Sequence, residues 1–308
     1  MHRNNDEYWH IIQAKKQQND IETVFSIVRS AAIEPVLLKG WAIGRFYPAG
    51  RHRYSTDVDI AVASKDYDNL KNCITHADLR STVVDMHSGL RKLDLSTWED
   101  LFERSKLIDM NGTAVRVLSD EDNLRCVCIH WLADGGNDRE RLWDIYYGVN
   151  NRSPNFDWQK FFDPAGPVRT EWLKISIALA AKYLDLDTTR LPFDASAEII
   201  PNWVIKTLEK EWKSGVKLGA LHLSLNDPGE LWRQIIKRIP PNAIQSTVEA
   251  EARFDGSMRL PLQIRSIFRR ISPSFQRVFY TNPIRIIFNG LRKNRNDNTG
   301  DRIGDQRR

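Results

Sequence analysis

Apolar positions change their spacing along this chain, and the changes divide it. Between residues 7 and 32, Trp9, Ile11, Ile12, Ile21, Val24, Phe25 and Val28 recur near helical spacing, which predicts a leading helix, or two, packed on a sheet. Short β-rich runs then alternate with amphipathic ones: strand 35–38, helix 41–46, strand 57–63, helix 67–76, strand 82–86 and a further strand at 114–118. The stretch 96–108 mixes acidic and apolar residues and reads as polar helix or loop. Elements of this order and length predict an α+β fold, a small mixed sheet with helices on one face.

From Ser119 the pattern turns helical. Ser119-Asp120-Glu121-Asp122 is an N-terminal cap signal ahead of the apolar run 124–132, with acidic residues suited to the helix dipole. Asp134-Gly135-Gly136 breaks that helix. A second helix is expected over 139–149 with Leu142, Ile145 and Tyr146 on one side, and more over 168–184, 199–212 and 228–238. Ile264, Ile267, Phe268 and Ile271 then interleave with Arg265, Arg269 and Arg270 in a basic amphipathic helix. Such a segment, 262–290, either docks on the core with its arginines in water or makes peripheral contact with an anionic membrane or polyanionic acceptor. Residues 291–308 lack apolar anchors and are expected to be disordered. The predicted organisation is a mixed-sheet domain over 1–118, a helical domain over 119–290 and a polar tail over 291–308.

Composition limits the classes without choosing among them. At 308 residues with 41% hydrophobic and 28% charged residues, the chain can bury a sizeable core. Its formal charge of +5 permits contact with polyanions without requiring it. Cys73, Cys126 and Cys128 form no disulfide framework, and Cys126 and Cys128, two apart on an expected helix, face different ways and are poor partners for one metal, so a reducing, cytoplasmic location is expected. MHRNNDEYWH has no apolar leader core and no run of 18 apolar residues occurs, so neither export by a standard signal nor a membrane span is predicted.

Candidate chemistry concentrates at Leu37-Leu38-Lys39-Gly40-Trp41-Ala42 and at Asp57-Val58-Asp59. A glycine closing a short apolar strand lets backbone approach a phosphate. Two carboxylates at i and i+2 of a strand point to one face, with Cα atoms roughly 6 to 7 Å apart, close enough to bind one divalent ion or bracket two. Asp-x-Asp alone also fits a solvated strand end. The apolar Val58, the buried-type run Ile60-Ala61-Val62-Ala63 and the nearby Lys39-Gly40 favour the metal reading. Ser81-Thr82-Val83-Val84-Asp85-Met86-His87 repeats the i, i+2 geometry on a later strand.

The phrase LLKGWAIGRFYPAGRHRYSTDVDIAV resembles an uncharacterised bacterial nucleotidyltransferase family of the polymerase-beta-type nucleotidyltransferase superfamily, strongest over residues 31–150. The resemblance implies transfer of a nucleoside monophosphate from a nucleoside triphosphate such as ATP to an acceptor, with release of pyrophosphate and two magnesium ions held by carboxylates. It makes 1–118 the catalytic domain and 119–290 the part completing the acceptor site. It assigns Asp57 and Asp59 to the metals and Asp85 as third carboxylate, either a metal ligand or the group taking the acceptor's proton, with Asp94 as its competitor. His87 either orients Asp85 or the acceptor, or is a structural histidine. Many superfamily members carry Gly-Ser or Gly-Gly where this chain has Gly40-Trp41. Triphosphate contacts are therefore expected from Lys39, from backbone at Gly40 and Trp41, and from Arg53 in the loop 47–53, where Arg51 and His52 either join it or lie in solvent. His130 and Asp144 either line the acceptor pocket or form a satisfied pair joining two helices, the second being favoured.

The acceptor is left open. A small molecule or glycan-related group is favoured, and the absence of an RNA-binding motif with interleaved aromatics disfavours nucleic acid. The alternatives are a toxin-type transferase acting on RNA or protein, and a non-catalytic protein using the fold to bind a nucleotide or partner.

Overall fold

A computed structural model describes residues 2–269, apart from residues 54, 78, 80–81, 91–93, 215–226, 228, 230–231, 235–237 and 257–258. The expected disordered tail and most of the basic segment 262–290 lie outside the described residues, as does part of the helix expected at 228–238.

The chain begins with α1 (His2–Ser30), β1 (Val36–Leu37), a short α2 (Gly40–Gly44), β2 (Asp57–Val62), α3 (Tyr67–His76) and β3 (Val83–Ser88). It continues with α4 (Trp98–Arg104), β4 (Lys106–Met110) and β5 (Thr113–Val117). The five strands form one mixed sheet in the order β3-β2-β1-β5-β4. β2 pairs parallel with β3 and antiparallel with β1, β1 runs parallel to β5, and β4 is antiparallel to β5. The α+β class read from the chain is the observed one.

Two expectations need correction. The stretch 96–108 is neither loop nor one polar helix: Thr97 caps α4 by accepting from the Asp100 N–H, and β4 follows at once. β4 carries no strong strand signal because it is an outer strand, with Leu107 exposed and little of its surface in either core. Helices also cover both faces of the sheet, not one. Ile21, Val24, Phe25 and Val28 of α1 and Leu70 of α3 pack on Leu37, Val58, Ile60, Val62, Val115 and Val117. The opposite face presents Val36, Leu38 and Ala61 to a larger core. Burial on both sides explains why Ile60 to Val62 is apolar without a break rather than alternating.

That larger core is helical. It is built by α5 (Asp120–Ala133), α6 (Leu142–Asn150), α7 (Trp158–Phe162), α8 (Gly166–Leu184), α9 (Asn202–Ser214) and α10 (Ala243–Glu249). Ser119 caps α5 as expected, its hydroxyl accepting from the Asp122 N–H. The same apolar cluster holds sheet residues and residues as distant as Trp172, Val204 and Phe254, so the helical part seats directly on the sheet. Within this junction the buried Arg125 binds Asp94 at 2.6 Å, contacts Asp122 and donates to the Lys160 and Phe161 carbonyls. A final described helix, 260–269, exposes Leu260, Ile264 and Phe268 on one stripe.

Candidate functional site

The parallel pairing of β2 and β3 sets the site. Its register places Asp59 directly beside Asp85 and Ala61 beside His87, so the three polar side chains fall on one face of the sheet. Asp59 is buried while Asp85 is about half exposed, because β2 is an inner strand and β3 an edge. His87 Nε2 lies 3.5 Å from Asp59 Oδ1 and 3.2 Å from Asp85 Oδ2. Among the described residues, the group whose potential ligand atoms converge is Asp59, Asp85 and His87, all within 4.8 Å of one another. Asp57 is on the same strand face but outside that group, and its carboxylate accepts from the Ser55 hydroxyl at 2.7 Å.

The turn after β1 delivers a cation to the buried carboxylate. Lys39 and Gly40 both have positive φ, +48° and +33°, which for lysine is uncommon backbone. A Cβ on Gly40 would stand 3.2 Å from Gln17 Nε2 of α1, so any larger residue would also have to push that side chain aside. Lys39 is itself buried, and its Nζ sits 2.6 Å from Asp59 Oδ1. Burial opposes ionisation of Asp59, but the hydrogen bond to His87 and the Lys39 ammonium outweigh it and hold the pKa at about 2. The carboxylate is thus charged at any ordinary pH.

These groups open on a cavity of about 330 Å³. Lys39, Ser55, Asp57, Asp59 and Asp85 form its sheet side. His130, Asp134, Asp138, Arg141 and Asp144 form its helical side, together with Arg53 from the loop before β2. Six aspartates face three basic side chains, Lys39, Arg53 and Arg141, so the space is acidic. Its donor set of carboxylate oxygens suits a hard divalent cation, which would relieve the crowding of like charge.

The residues singled out in the sequence reach different places. Asp57, Asp59, Asp85, Lys39, Arg53, His130 and Asp144 all line the cavity. Gly40 and Trp41 are not among its walls: Gly40 makes the turn, and Trp41 packs against the core cluster on the α1 side. His87 contacts the carboxylates without lining the space. Asp94, the competitor of Asp85, lies fully buried with Arg125.

The favoured pairing of His130 with Asp144 does not form. His130 Nδ1 lies 2.9 Å from Asp134 Oδ2 on its own helix, one turn on. Asp144 takes Arg53 instead, with Nε at 3.0 Å and Nη2 at 3.0 Å, and accepts from the Tyr47 hydroxyl at 2.8 Å. Burial lowers the Arg53 pKa, but Asp144 outweighs it and the net shift is upward. Burial and the Asp144 charge push the Tyr47 hydroxyl well up, so it remains a donor. Arg53 is thereby drawn into a buried pair joining the loop to α6, which long-range contact no local pattern shows. Asp134, Asp138 and Arg141 were missed by sequence reasoning. Their one available signal was the His130…Asp134 spacing of one helical turn ahead of Gly135-Gly136.

Comparison with known proteins gives a partial match. Residues 75–184 match the model of a family described as an uncharacterised nucleotidyltransferase. The matched span holds Asp85, His87, His130, Asp134 and Asp144 and begins downstream of Lys39, Asp57 and Asp59. No curated protein matches the chain. A solved structure, that of an antigenic nucleotidyltransferase-like protein from Paracoccidioides brasiliensis, is similar at 14% identity with a TM-score of 0.39, over 56% of this chain and 91% of that one. The family match supports a nucleotidyltransferase. No described helix is long and apolar enough to cross a membrane.

Proposed function

We propose that this protein is a divalent-metal-dependent nucleotidyltransferase that moves a nucleoside monophosphate from a nucleoside triphosphate, ATP among them, to an acceptor and releases pyrophosphate. The observation that carries this reading is the side-by-side placement of buried Asp59 and half-exposed Asp85, with His87 between them, at an acidic cavity. Asp57, Asp59 and Asp85 would hold the metal, two magnesium ions being the expected complement. The metal would supply charge neutralisation at the transferring and leaving phosphates.

The chain's own residues account for the remainder. Asp59, kept ionised by Lys39 and His87, is the fixed anion of the site. Asp85 is exposed enough to meet the acceptor, and it takes the proton as the acceptor oxygen or nitrogen bonds to the α-phosphorus and the bond to the leaving pyrophosphate breaks. His87, 3.2 Å from Asp85, orients that carboxylate. Lys39 is the cation offered to the triphosphate, Arg53 adds its positive charge to that wall while remaining paired with Asp144, and His130 and Asp144 stand on the acceptor side. An acidic cavity disfavours a polyanionic acceptor such as RNA, so a small molecule or glycan-related acceptor is favoured.

One observation favours a second reading. The Lys39 ammonium already neutralises Asp59 at 2.6 Å, as it would in a non-catalytic protein that binds a nucleotide or partner. A panel of α-labelled nucleoside triphosphates with Mg²⁺ or Mn²⁺ and fractionated cell extract separates the two. Metal-dependent label transfer and pyrophosphate release, both lost in Asp59→Asn, support the enzyme. Nucleotide binding without transfer to any fraction supports the second reading.

A further inference from the structure

Beside the acidic cavity lies a second one of about 380 Å³, which shares Arg53, Asp138 and Arg141 with it as common walls. Its other walls come from the loop 47–53, from Glu140 in the turn before α6 and from Trp143 at the start of α6. The charge pattern differs from that next door. Three arginines face the carboxylates of Asp138 and Glu140 here: Arg53 is committed to Asp144, Arg141 lies 3.5 Å from Asp138, and Arg51 makes no ion pair with a carboxylate among the described residues.

Arg51 is nonetheless held in place. Its guanidinium lies over the Trp143 ring at 3.9 Å and over Tyr147 at 5.3 Å, and its Nη1 donates to the Tyr147 hydroxyl at 2.9 Å. Trp143 and Tyr147 are stacked on each other 5.5 Å apart, and Tyr47 packs on Tyr147 at 4.6 Å. Rings orient a guanidinium without neutralising it, so little further ordering is required when an anion arrives. A solvent-exposed arginine would sweep many rotamers, whereas this one is half-buried in a fixed aromatic bracket on a cavity wall.

We propose that Arg51 is an anion clamp that binds a phosphoryl group in the second cavity, adjoining the proposed transfer site. A planar guanidinium fork matches two phosphoryl oxygens, which a point charge does not. The proposal rests on the transferase reading for its role. The phosphoryl group belongs either to the triphosphate chain of the nucleotide or to a phosphorylated acceptor.

The test is calorimetric titration of the full-length protein, wild type and Arg51→Gln, with inorganic phosphate, ATP, adenosine and glucose 1-phosphate. Loss of one charge-assisted contact pair predicts phosphate affinity about tenfold or more weaker in Arg51→Gln. An equal loss for ATP with adenosine unchanged assigns the clamp to the nucleotide. Loss for glucose 1-phosphate with ATP unchanged assigns it to the acceptor. Arg51→Lys, which keeps the charge without the fork, and Tyr147→Phe, which keeps the ring but loses the orienting hydroxyl, give intermediate losses with unchanged circular dichroism. If a folded Arg51→Gln binds every probe as the wild type does, or if the wild type binds none of the phosphates, there is no clamp. Asp59→Asn keeps the phosphate affinity while abolishing transfer, so failure of the transferase reading and failure of the clamp are separate results.

Discussion

The Arg53–Asp144 pair offers a quantitative test of how the loop before β2 is fastened to the helical part. Both side chains are nearly inaccessible, 7% and 3% exposed, with Nε 3.0 Å from Oδ1 and Nη2 3.0 Å from Oδ2. At that separation the gross attraction is about 5 kcal/mol for an effective dielectric near 20, most of it offset by the cost of removing both charges from water. The net worth of the intact pair is therefore small, while breaking it is expensive. Asp144→Leu strands a buried guanidinium and leaves the Tyr47 hydroxyl without its acceptor, and should cost about 3–5 kcal/mol. Arg53→Met strands the carboxylate and should cost about as much. The double variant removes both charges and should cost no more than either single one, a coupling of about 3 kcal/mol or more. Urea denaturation followed by circular dichroism measures all four proteins. Losses that simply add, within about 0.5 kcal/mol, would refute a buried pair and leave two independent surface residues. Nucleotide affinity of the recovered double variant then reports what the two side chains do at the cavity besides fastening it.

Three further outcomes are expected. Glu34 has its pKa lowered, first by the hydrogen bond from Arg29 and further by Arg116, despite partial burial. Its contribution to stability is therefore full above the unfolded value near 4.5 and fades as pH falls through the lower folded value. The stability gap between wild type and Glu34→Gln should narrow as pH falls below 4.5, and a gap constant down to pH 2 contradicts this. Gly40→Ala imposes a side chain at φ +33°, 3.2 Å from Gln17 Nε2, and should cost about 1 kcal/mol or more and weaken Mn²⁺ binding by displacing Lys39; a neutral effect on both would show that the turn is relaxed. If the exposed Leu260, Ile264 and Phe268 beside Arg265 and Arg269 seat on an anionic bilayer rather than on protein, Ile264→Glu/Phe268→Glu should reduce co-sedimentation with phosphatidylglycerol vesicles about tenfold, and equal sedimentation of both proteins would exclude this face.

The local patterns were enough for much of the sheet. β-branched runs at 57–63 and 82–86 and the apolar 35–38 found β2, β3 and β1, and the Asp-x-Asp and Asp-x-His spacings put their polar residues on common faces. β4 escaped because an outer strand buries little and so carries little of the periodicity by which strands are recognised. The second layer of helices escaped for a related reason: the continuous apolar run of β2 shows that both faces are covered, and it was read only as a buried strand.

By itself the sequence determined which side chains could carry charge or metal and on which strand face each would stand, because the two-residue repeat of a strand is a local property. Tertiary structure decided which of them meet. Asp59 lies beside Asp85 because β2 and β3 pair in parallel at that register, and Asp57, one repeat earlier, falls outside the converging group. Arg53 meets Asp144, and Arg51 is bracketed by Trp143 and Tyr147, both through the packing of α6 against the loop. Contacts between residues some 90 positions apart follow from how the two cores fit together, and no spacing along the chain encodes them.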